Sequence, residues 1–576
     1  MTLSSEPVIE RSIILNAGEA AGEVLVCAEG LSFWGGVDPD TGRIIDVHHP
    51  NHGQSITGKI LLMPTSRGSC SGSGVLLELS LNQLGPAALV FCESEAILTL
   101  GALVSDRVFD RPLPTLCLPR ADYDRLAGVN SAAISGNHIK AEGLEVALSS
   151  VEAGDLHHSE KDAAYLRGDH GPAARMAMEI ICQMAAAEGA RHLTDVTRGH
   201  IDGCILAHSA NLIFAEKLAD LGAQVSIPTT INAISVDREN WRSQRVPVDF
   251  GERASRLADA YVKMGAQPVF TCAPYLLDDV PALGEVIGWS ESNAVIFANS
   301  VLGARTPKHP DYLDLFIAMT GRAPATGVYT DNGRRPGIFL EVCLSEQTPD
   351  EVLWPLVGWL AGRFSPDHIP LIIGLEHLHP TTDDLKALCA AFGTTSGAPM
   401  LHIAGHTPEA HLYPAPPAQR RIIDGADFAD AWQELNRGGR KIDLVAIGSP
   451  HASLSEARRI AELLAGRRCN PSTQMIVTIG RDVLSAAQAD GTVEQLAEAG
   501  VRLIPDLCWC SIIEPIFPPE AKGLMTNSGK YAHYAHGLSG RHGRLGSLED
   551  CVEAAVSGMA PDGAPDWIGS DRAKAP

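Results

Sequence analysis

The chain has 576 residues, 45% hydrophobic and 20% charged, ordinary proportions for a globular protein too long for one small core. It carries 45 basic against 69 acidic side chains, a net charge of −24, which argues against broad binding to nucleic acid or an anionic membrane, since both need a basic face. No apolar run approaches the roughly 18 residues of a membrane span, and thirteen cysteines behind a start, MTLSSEPVIERS, that lacks a basic and then apolar leader point to a cytoplasmic chain with reduced thiols.

From about residue 10 to 145, short β-rich stretches (GEVLVCA, GKILLMP, AALVFC, TLCLP) alternate with Gly and Pro turns, and a helix is predicted over GVLLELSLNQLG after a Gly/Ser loop. Residues 1–145 are therefore read as a small β-rich unit. The polar stretch 146–171, holding AGDLHHSEKD, reads as a linker leading to a helix near Gly171. Residues 172–576 alternate strands with helices. Between 440 and 512, KIDLVAIG predicts a strand, Ser453 and Glu456 have capping-box spacing ahead of LSEARRIAELLAG, and TQMIVTIG, TVEQLAEAG and VRLIPDLC continue the alternation. That βαβαβ order implies a parallel sheet, so the fold class is α/β. The tail PDGAPDWIGSDRAKAP reads as frayed.

The reactive residues of the second half follow apolar runs. Cys272 closes AQPVFTC, Ser449 follows KIDLVAIG, and Cys508 and Cys510 close VRLIPDLCWC. Each run reads as a buried parallel strand, which places each of these residues at the strand's carboxyl end, where open α/β sheets bind ligands. Soft thiolates at such an edge suggest a metal or iron–sulfur centre. Cys508 and Cys510 stand at i and i+2, on one face of an extended segment. The alternative for each cysteine is a core residue; for Ser449, ahead of Pro450, it is a turn.

Longer segments carry a resemblance. EGLSFWGGVDPDTGRIID, GKILLMPTSRGSCSGSGVLLEL, HIDGCILAHSANLIFAEKLADLGAQVSIPTTIN, TCAPYL, ESNAVIFANSVLGART, GSPHASLSE, DLCWC and TNSGKYAHY resemble, in order and nearly end to end, the aconitase X family. The resemblance implies a swivel domain (1–145), a linker (146–171) and a large catalytic domain with parallel α/β sheets (172–576). It also implies an iron–sulfur hydro-lyase. One branch of the family pairs separate subunits and dehydrates mevalonate 5-phosphate; the other is a fused chain that dehydrates cis-3-hydroxy-L-proline. Fusion, and Ser449 where the first branch has a cysteine, favour the second. No separate small subunit is then needed, and a monomer acting on a small molecule is expected, without nucleic acid or membrane partners.

The family motifs assign Cys272 and Cys508 as cluster ligands, with Cys510 or Ser449 completing the set. Because a serine stands in a cysteine place, [2Fe–2S] is favoured over [4Fe–4S] or [3Fe–4S]. The superfamily draws its base from a serine of the swivel domain; Ser71 is the first choice, with Ser73 and Ser69 beside it. His200 and Asp202 of GHIDG offer a base or a substrate hydrogen bond. Asn211, Asn299, Ser300, Arg305, Asn527, Ser528 and Lys530 are the expected substrate contacts, Arg305 and Lys530 as partners of a carboxylate.

The substrate's own geometry sets the demands. In cis-3-hydroxy-L-proline the hydroxyl and carboxylate share a ring face, so one iron could chelate both and ease loss of hydroxide. The C2 hydrogen lies on the opposite face, where a base must take it. Other readings stay open. The loop from Gly68 to Gly72 also fits a G-x-C-x-G elbow around Cys70, as in a thiol hydrolase. His48, His49, His52, His377, His379, His402 and His406 contain zinc-like spacings without a convincing set of four.

Overall fold

The computed structural model describes residues 9–67, 69–150, 156–344, 347–414 and 419–568. Gly68 of the serine loop, residues 151–155 of the expected linker and residues 569–576 of the expected frayed tail lie outside the described residues. The chain divides into two compact units. One comprises Met1–Thr229, Asp259–Ala266 and His309–Thr326, and the other Thr230–Ala258, Gln267–Lys308 and Gly327–Pro576.

The first unit is built on a nine-stranded sheet. Its strands are β1 (Ile13–Asn16), β2 (Ala20–Val26), β3 (Ile60–Leu62), β4 (Ala88–Phe91), β5 (Thr115–Cys117), β6 (Ser131–Ser135), β7 (His138–Ala141), β8 (Leu144–Ala147) and β9 (Ser149–Ser150), in the order β8-β7-β6-β2-β3-β4-β5-β1-β9. The central run β2-β3-β4-β5 is parallel. Its residues are apolar on both faces because both faces are covered. Leu61 and Leu89 enter one core; Ile60, Leu62, Ala88 and Val90 enter the other, as period-two alternation demands. Helices α1 (Gly72–Leu81) and α2 (Ile97–Phe109) cover the first face. They pack closely at Gly101, where a Cβ would stand 3.0 Å from the Ser73 carbonyl oxygen.

Residues 146–171 include a helix, α3 (Glu160–Arg167), started by a capping box between Ser159 and Asp162. Then α4 (Pro172–Ala187) begins with Pro172 in its first turn, where a missing N–H costs nothing. α5 (Ser209–Asp220) and α6 (Leu313–Thr320) complete what the site needs from this unit.

The second unit holds two parallel sheets. The first contains β10 (Ile338–Val342), β11 (Pro370–Ile373), β12 (His402–Ile403) and β13 (Arg420–Ile423) in the order β12-β11-β10-β13. Helices α7 (Leu353–Phe364) and α8 (Thr382–Thr395) share its core. The second contains β14 (Leu444–Ala452), β15 (Gln474–Ile479), β16 (Val501–Pro505), β17 (Leu524–Thr526) and β18 (Gly543–Leu545) in the order β16-β15-β14-β17-β18. All its pairings are parallel. Helices α9 (Leu454–Leu464), α10 (Arg481–Ala489), α11 (Thr492–Glu498) and α12 (Gly529–Ser539) connect or flank these strands. The βαβαβ order and the Ser453–Glu456 capping box are both present. Among the described residues no helix is long and apolar enough to cross a membrane.

Two strand expectations are corrected. The run 266–272 is not a strand; its only ladder contact is an isolated bridge from Gln267 to Thr230, and Phe270 takes φ 45°. Ser449 does not follow its strand but lies inside β14. The reason is local. Gly448 adopts φ +99°, where any Cβ would collide with the Thr478 carbonyl oxygen. The ladder with β15 breaks after Ile447 and resumes at Ala452, so Ser449 sits in an irregular stretch of the strand.

Candidate functional site

In the second unit, Cys272, Cys508 and Cys510 pack together against Ala233. Cys508 follows β16 after Asp506, a buried residue at φ 71°. The Arg481 fork holds that carboxylate at 2.6 and 2.8 Å, which fixes the turn out of the strand. The buried Trp509 donates its indole N–H to the Ile447 carbonyl at 2.7 Å and pins the segment to β14. The thiol of Cys508 packs against those of Cys272 and Cys510. Contact with Cys272 pushes Cys508 well above the ordinary thiol range, with Cys510 acting the other way and burial adding to the rise. Cys510 is also raised, first by the neighbouring Cys508 thiol and then by burial.

A charged pair stands beside these thiols. Lys530, in the first turn of α12, donates to Glu291 at 3.0 Å. Burial opposes its charge, but Glu291 and the three cysteines outweigh burial and hold the ammonium well above its usual range. Glu291 is likewise held low against burial by Lys530 and by the Ala294 N–H. Asn293 donates to Glu291 and, at 3.0 Å, to the Cys272 carbonyl, joining the pair to the first cysteine. Ser528 caps α12 by accepting the Tyr531 N–H and donates its hydroxyl to the Ser449 carbonyl. The Ser449 hydroxyl itself is buried with no hydrogen-bond partner in the structure.

In the first unit, the serine loop leads into α1. Ser71 occupies the N-cap position, yet its hydroxyl makes no capping bond, so the oxygen stays available. Ser69 Oγ donates to Ser71 Oγ at 3.3 Å. Ser73 is fully buried and donates to the Cys70 and Asp311 carbonyl oxygens at 2.9 and 3.2 Å. These bonds dock residue 311 against the loop. The Asp311 carboxyl is pushed up to about 6 by burial, while the Ser71 hydroxyl near it acts the other way. Its Oδ1 has no partner of hydrogen-bonding geometry.

Four family models match the chain in order: the aconitase X swivel domain over residues 9–141, and the aconitase X first, second and third domains over 155–332, 336–433 and 442–557. The chain belongs to the aconitase X family. It is 46% identical to the cis-3-hydroxy-L-proline dehydratase of Pseudomonas aeruginosa over 98% of this chain and 99% of that one. It is 44% identical to the protein of the same name from Hypocrea jecorina, over 96% of each. The crystal structure of Thermococcus kodakaraensis aconitase X in its holo-form matches 69% of this chain and all of that one, with 29% identity and a TM-score of 0.63. The sheet β10–β13 lies within the aconitase X second domain and the sheet β14–β18 within the third.

An aconitase-type family suggests an iron–sulfur cluster, and the donor set fits one. Three clustered thiols are soft donors of the kind such a cluster takes, with an ammonium beside them to balance thiolate charge and the unpartnered Ser449 hydroxyl as a harder oxygen donor. Among the described residues no group of three or more His, Cys, Asp or Glu side chains forms a ready-made metal site; the three thiols are free and packed together.

The other expected residues have structural partners. His200 is fully buried, and the Asp202 N–H donates to Asp314 at 2.7 Å. Asn211 accepts the His208 N–H at the start of α5, where Glu78 of α1 also accepts the Ala210 N–H. Asn299 bridges the Thr306 and Pro399 carbonyls. Ser300 accepts the Leu401 N–H, and Arg305 reaches Tyr329 and Asp331. Asn527 lines a cavity of about 450 Å³ with His379, Asp383, Glu456 and Arg459. His402 and His406 each bond a carbonyl oxygen.

Three residues were missed from sequence. Asp311 faces Ser71 from a segment about 240 positions later, and no local pattern links them. Glu291 sits in ESNA ahead of a short helix it caps through Ala294, a signal that reads as capping alone. His451 sits in GSPH, two residues after Ser449, a motif with no local sign of a buried imidazole.

Proposed function

We propose that this chain dehydrates cis-3-hydroxy-L-proline to Δ1-pyrroline-2-carboxylate. The observation that carries this reading is the likeness, over almost the whole length of both chains, to relatives that bear that activity in their names. The cofactor is an iron–sulfur cluster, [2Fe–2S] in preference to [4Fe–4S] or [3Fe–4S], held by Cys272, Cys508 and Cys510 with the Ser449 hydroxyl beside it. When bound, it supplies a Lewis acid for departure of the C3 hydroxyl.

The chain's own groups do the rest. Ser71 takes the C2 proton at Oγ and passes its hydroxyl hydrogen to the Asp311 carboxylate, which is ionised above its value of about 6. Loss of the C2 proton and the C3 hydroxyl leaves an enamine, which tautomerises to the cyclic imine. Lys530 balances the negative charge of the thiolates, and its α12 neighbours Asn527 and Ser528 supply neutral contacts. Residues 1–145 serve as the swivel domain, 146–171 as the linker and 172–576 as the catalytic domain. All thirteen cysteines are free of disulfides, which suits a cytoplasmic chain working without a separate small subunit.

The test is turnover by anaerobically purified protein, followed as Δ1-pyrroline-2-carboxylate, with mevalonate 5-phosphate offered in parallel. Product from hydroxyproline alone is expected. Turnover of only the phosphate ester by protein with intact iron and sulfide would overturn the reading.

A further inference from the structure

His451 is fully buried and makes contacts to both cysteine-bearing segments. Its Nε2 lies 2.6 Å from the Leu507 carbonyl oxygen, immediately before Cys508. A carbonyl can only accept, so Nε2 carries the ring proton and Nδ1 is the acceptor. Nδ1 stands 3.1 Å from the Thr271 hydroxyl, immediately before Cys272. The same hydroxyl oxygen accepts the Ala273 N–H at 3.1 Å, just after Cys272. One imidazole therefore ties the residue ahead of Cys508 to the residues on both sides of Cys272.

The backbone adds a direct contact. The His451 N–H points at Cys272 Sγ, 3.3 Å away. The following peptide is held by the buried Lys386, whose ammonium reaches the His451 carbonyl oxygen at 3.4 Å. Lys386 also pairs with Asp383 at 2.9 Å and with Glu456, and Glu456 accepts the Ser453 N–H at the start of α9. The histidine is thus anchored through Lys386 of α8 and in turn joins two cysteine segments that are 236 positions apart in sequence.

On the reading that Cys272 and Cys508 hold the cluster, we propose that His451 is a positioning residue that sets the spacing of these two thiolates and donates a backbone hydrogen bond to one of them. Partners of this kind fix ligand orientation, and their loss weakens metal sites by about 10–100-fold. The imidazole touches neither substrate nor iron in this role. Its effect is read in cluster retention, separately from turnover.

The experiment uses the full chain, purified anaerobically, as wild type, His451→Ala, His451→Gln and Thr271→Val. Iron and sulfide are measured per chain, then the rate of iron loss to EDTA well below every melting temperature. His451→Ala is expected to lose iron about tenfold faster or more. Thr271→Val should shift in the same direction, and His451→Gln, which can still donate to Leu507, should recover part of the loss. A folded His451→Ala variant that keeps iron as long as wild type, even with a lowered Tm, would overturn the proposal. If His451→Ala does not fold, an unchanged rate in Thr271→Val overturns it instead. Wild-type protein holding no iron and sulfide would be a different failure, that of the cluster assignment itself.

Discussion

Lys530 and Glu291 form an ion pair at 3.0 Å, with 11% and 9% of the two side chains exposed. Such a pair gains little net stability over apolar residues, but removing one partner strands a buried charge, at a cost of about 3–5 kcal/mol. Lys530→Met is therefore expected to lower stability by about that amount and to reduce iron content, because the thiolates lose their counter-charge. Glu291→Gln should be comparably destabilised. The double variant should lose less than the sum of the two, since neither charge is then stranded. Denaturant melts of all four proteins check this; strict additivity would show that the pair is not coupled.

The Ser71–Asp311 contact gives a kinetic prediction. Ser71→Ala should keep wild-type iron and lose about 10²–10⁴-fold in kcat. Asp311 is the proton acceptor only when ionised, and burial raises its carboxyl to about 6. In wild type, kcat/KM should rise with pH through about 6 and then level. The groups facing this region are Tyr312, Glu78, Asp314 and Tyr261; the tyrosines are held above their usual range by burial, so they do not titrate in this window. Asp311→Asn should be slow at every pH and show no such limb. A limb that survives in Asp311→Asn belongs to another group.

Strands that are apolar along their whole length were legible because they are covered on both faces. Thus β3, β4 and β14 emerge from composition alone, while β16, an edge strand with Arg502 exposed, is legible from its place in the βαβαβ alternation, and the Ser453–Glu456 spacing marks α9. The segment before Cys272 misled because its apolar residues form no ladder: Pro268 is exposed, and the pairing stops at the Gln267–Thr230 bridge. A ladder partner is a long-range fact that AQPVFTC does not encode. Ser449 misled for a related reason, since Gly448 bends the strand and lets it run on where the apolar run ends. The cysteines were visible as reactive residue types, while the groups that orient them were not. His451, Glu291 and Asp311 act across about 60–240 positions or within motifs that read as caps and turns.

Asp162 gives a test of how α3 is anchored. It is fully buried, closes the capping box with Ser159, and receives the Arg322 fork at 2.6 and 3.1 Å. Burial would raise its carboxyl, but Arg322 and the Ser159 bonds outweigh burial and hold it below its ordinary value. A depressed carboxyl stabilises the fold above its unfolded pKa, about 3.9, and that contribution is lost as pH falls through the lower, folded value. Asp162→Asn should cost about 3–5 kcal/mol near neutrality and flatten the acid limb of Tm against pH. An acid limb unchanged in the variant would assign it to other carboxylates.

Ser449 separates the cluster reading from a purely structural one. Its hydroxyl is buried without a hydrogen-bond partner, and an unsatisfied buried hydroxyl costs about 1–3 kcal/mol. Ser449→Ala should then leave the apoprotein as stable as wild type or more so. If the hydroxyl serves the cluster, the same variant should hold iron less well, so stability and iron retention move in opposite directions. Cys272→Ser should lose the brown colour and iron outright, because a thiolate ligand is removed. Ser449→Cys should retain iron at least as well as wild type and alter the visible spectrum. The wild-type chain should contain about two iron and two sulfide per molecule for a [2Fe–2S] centre. A measured four-to-four ratio would replace that nuclearity. Ser449→Ala with wild-type iron retention would remove Ser449 from the cluster's surroundings and leave the three cysteines as the whole ligand set.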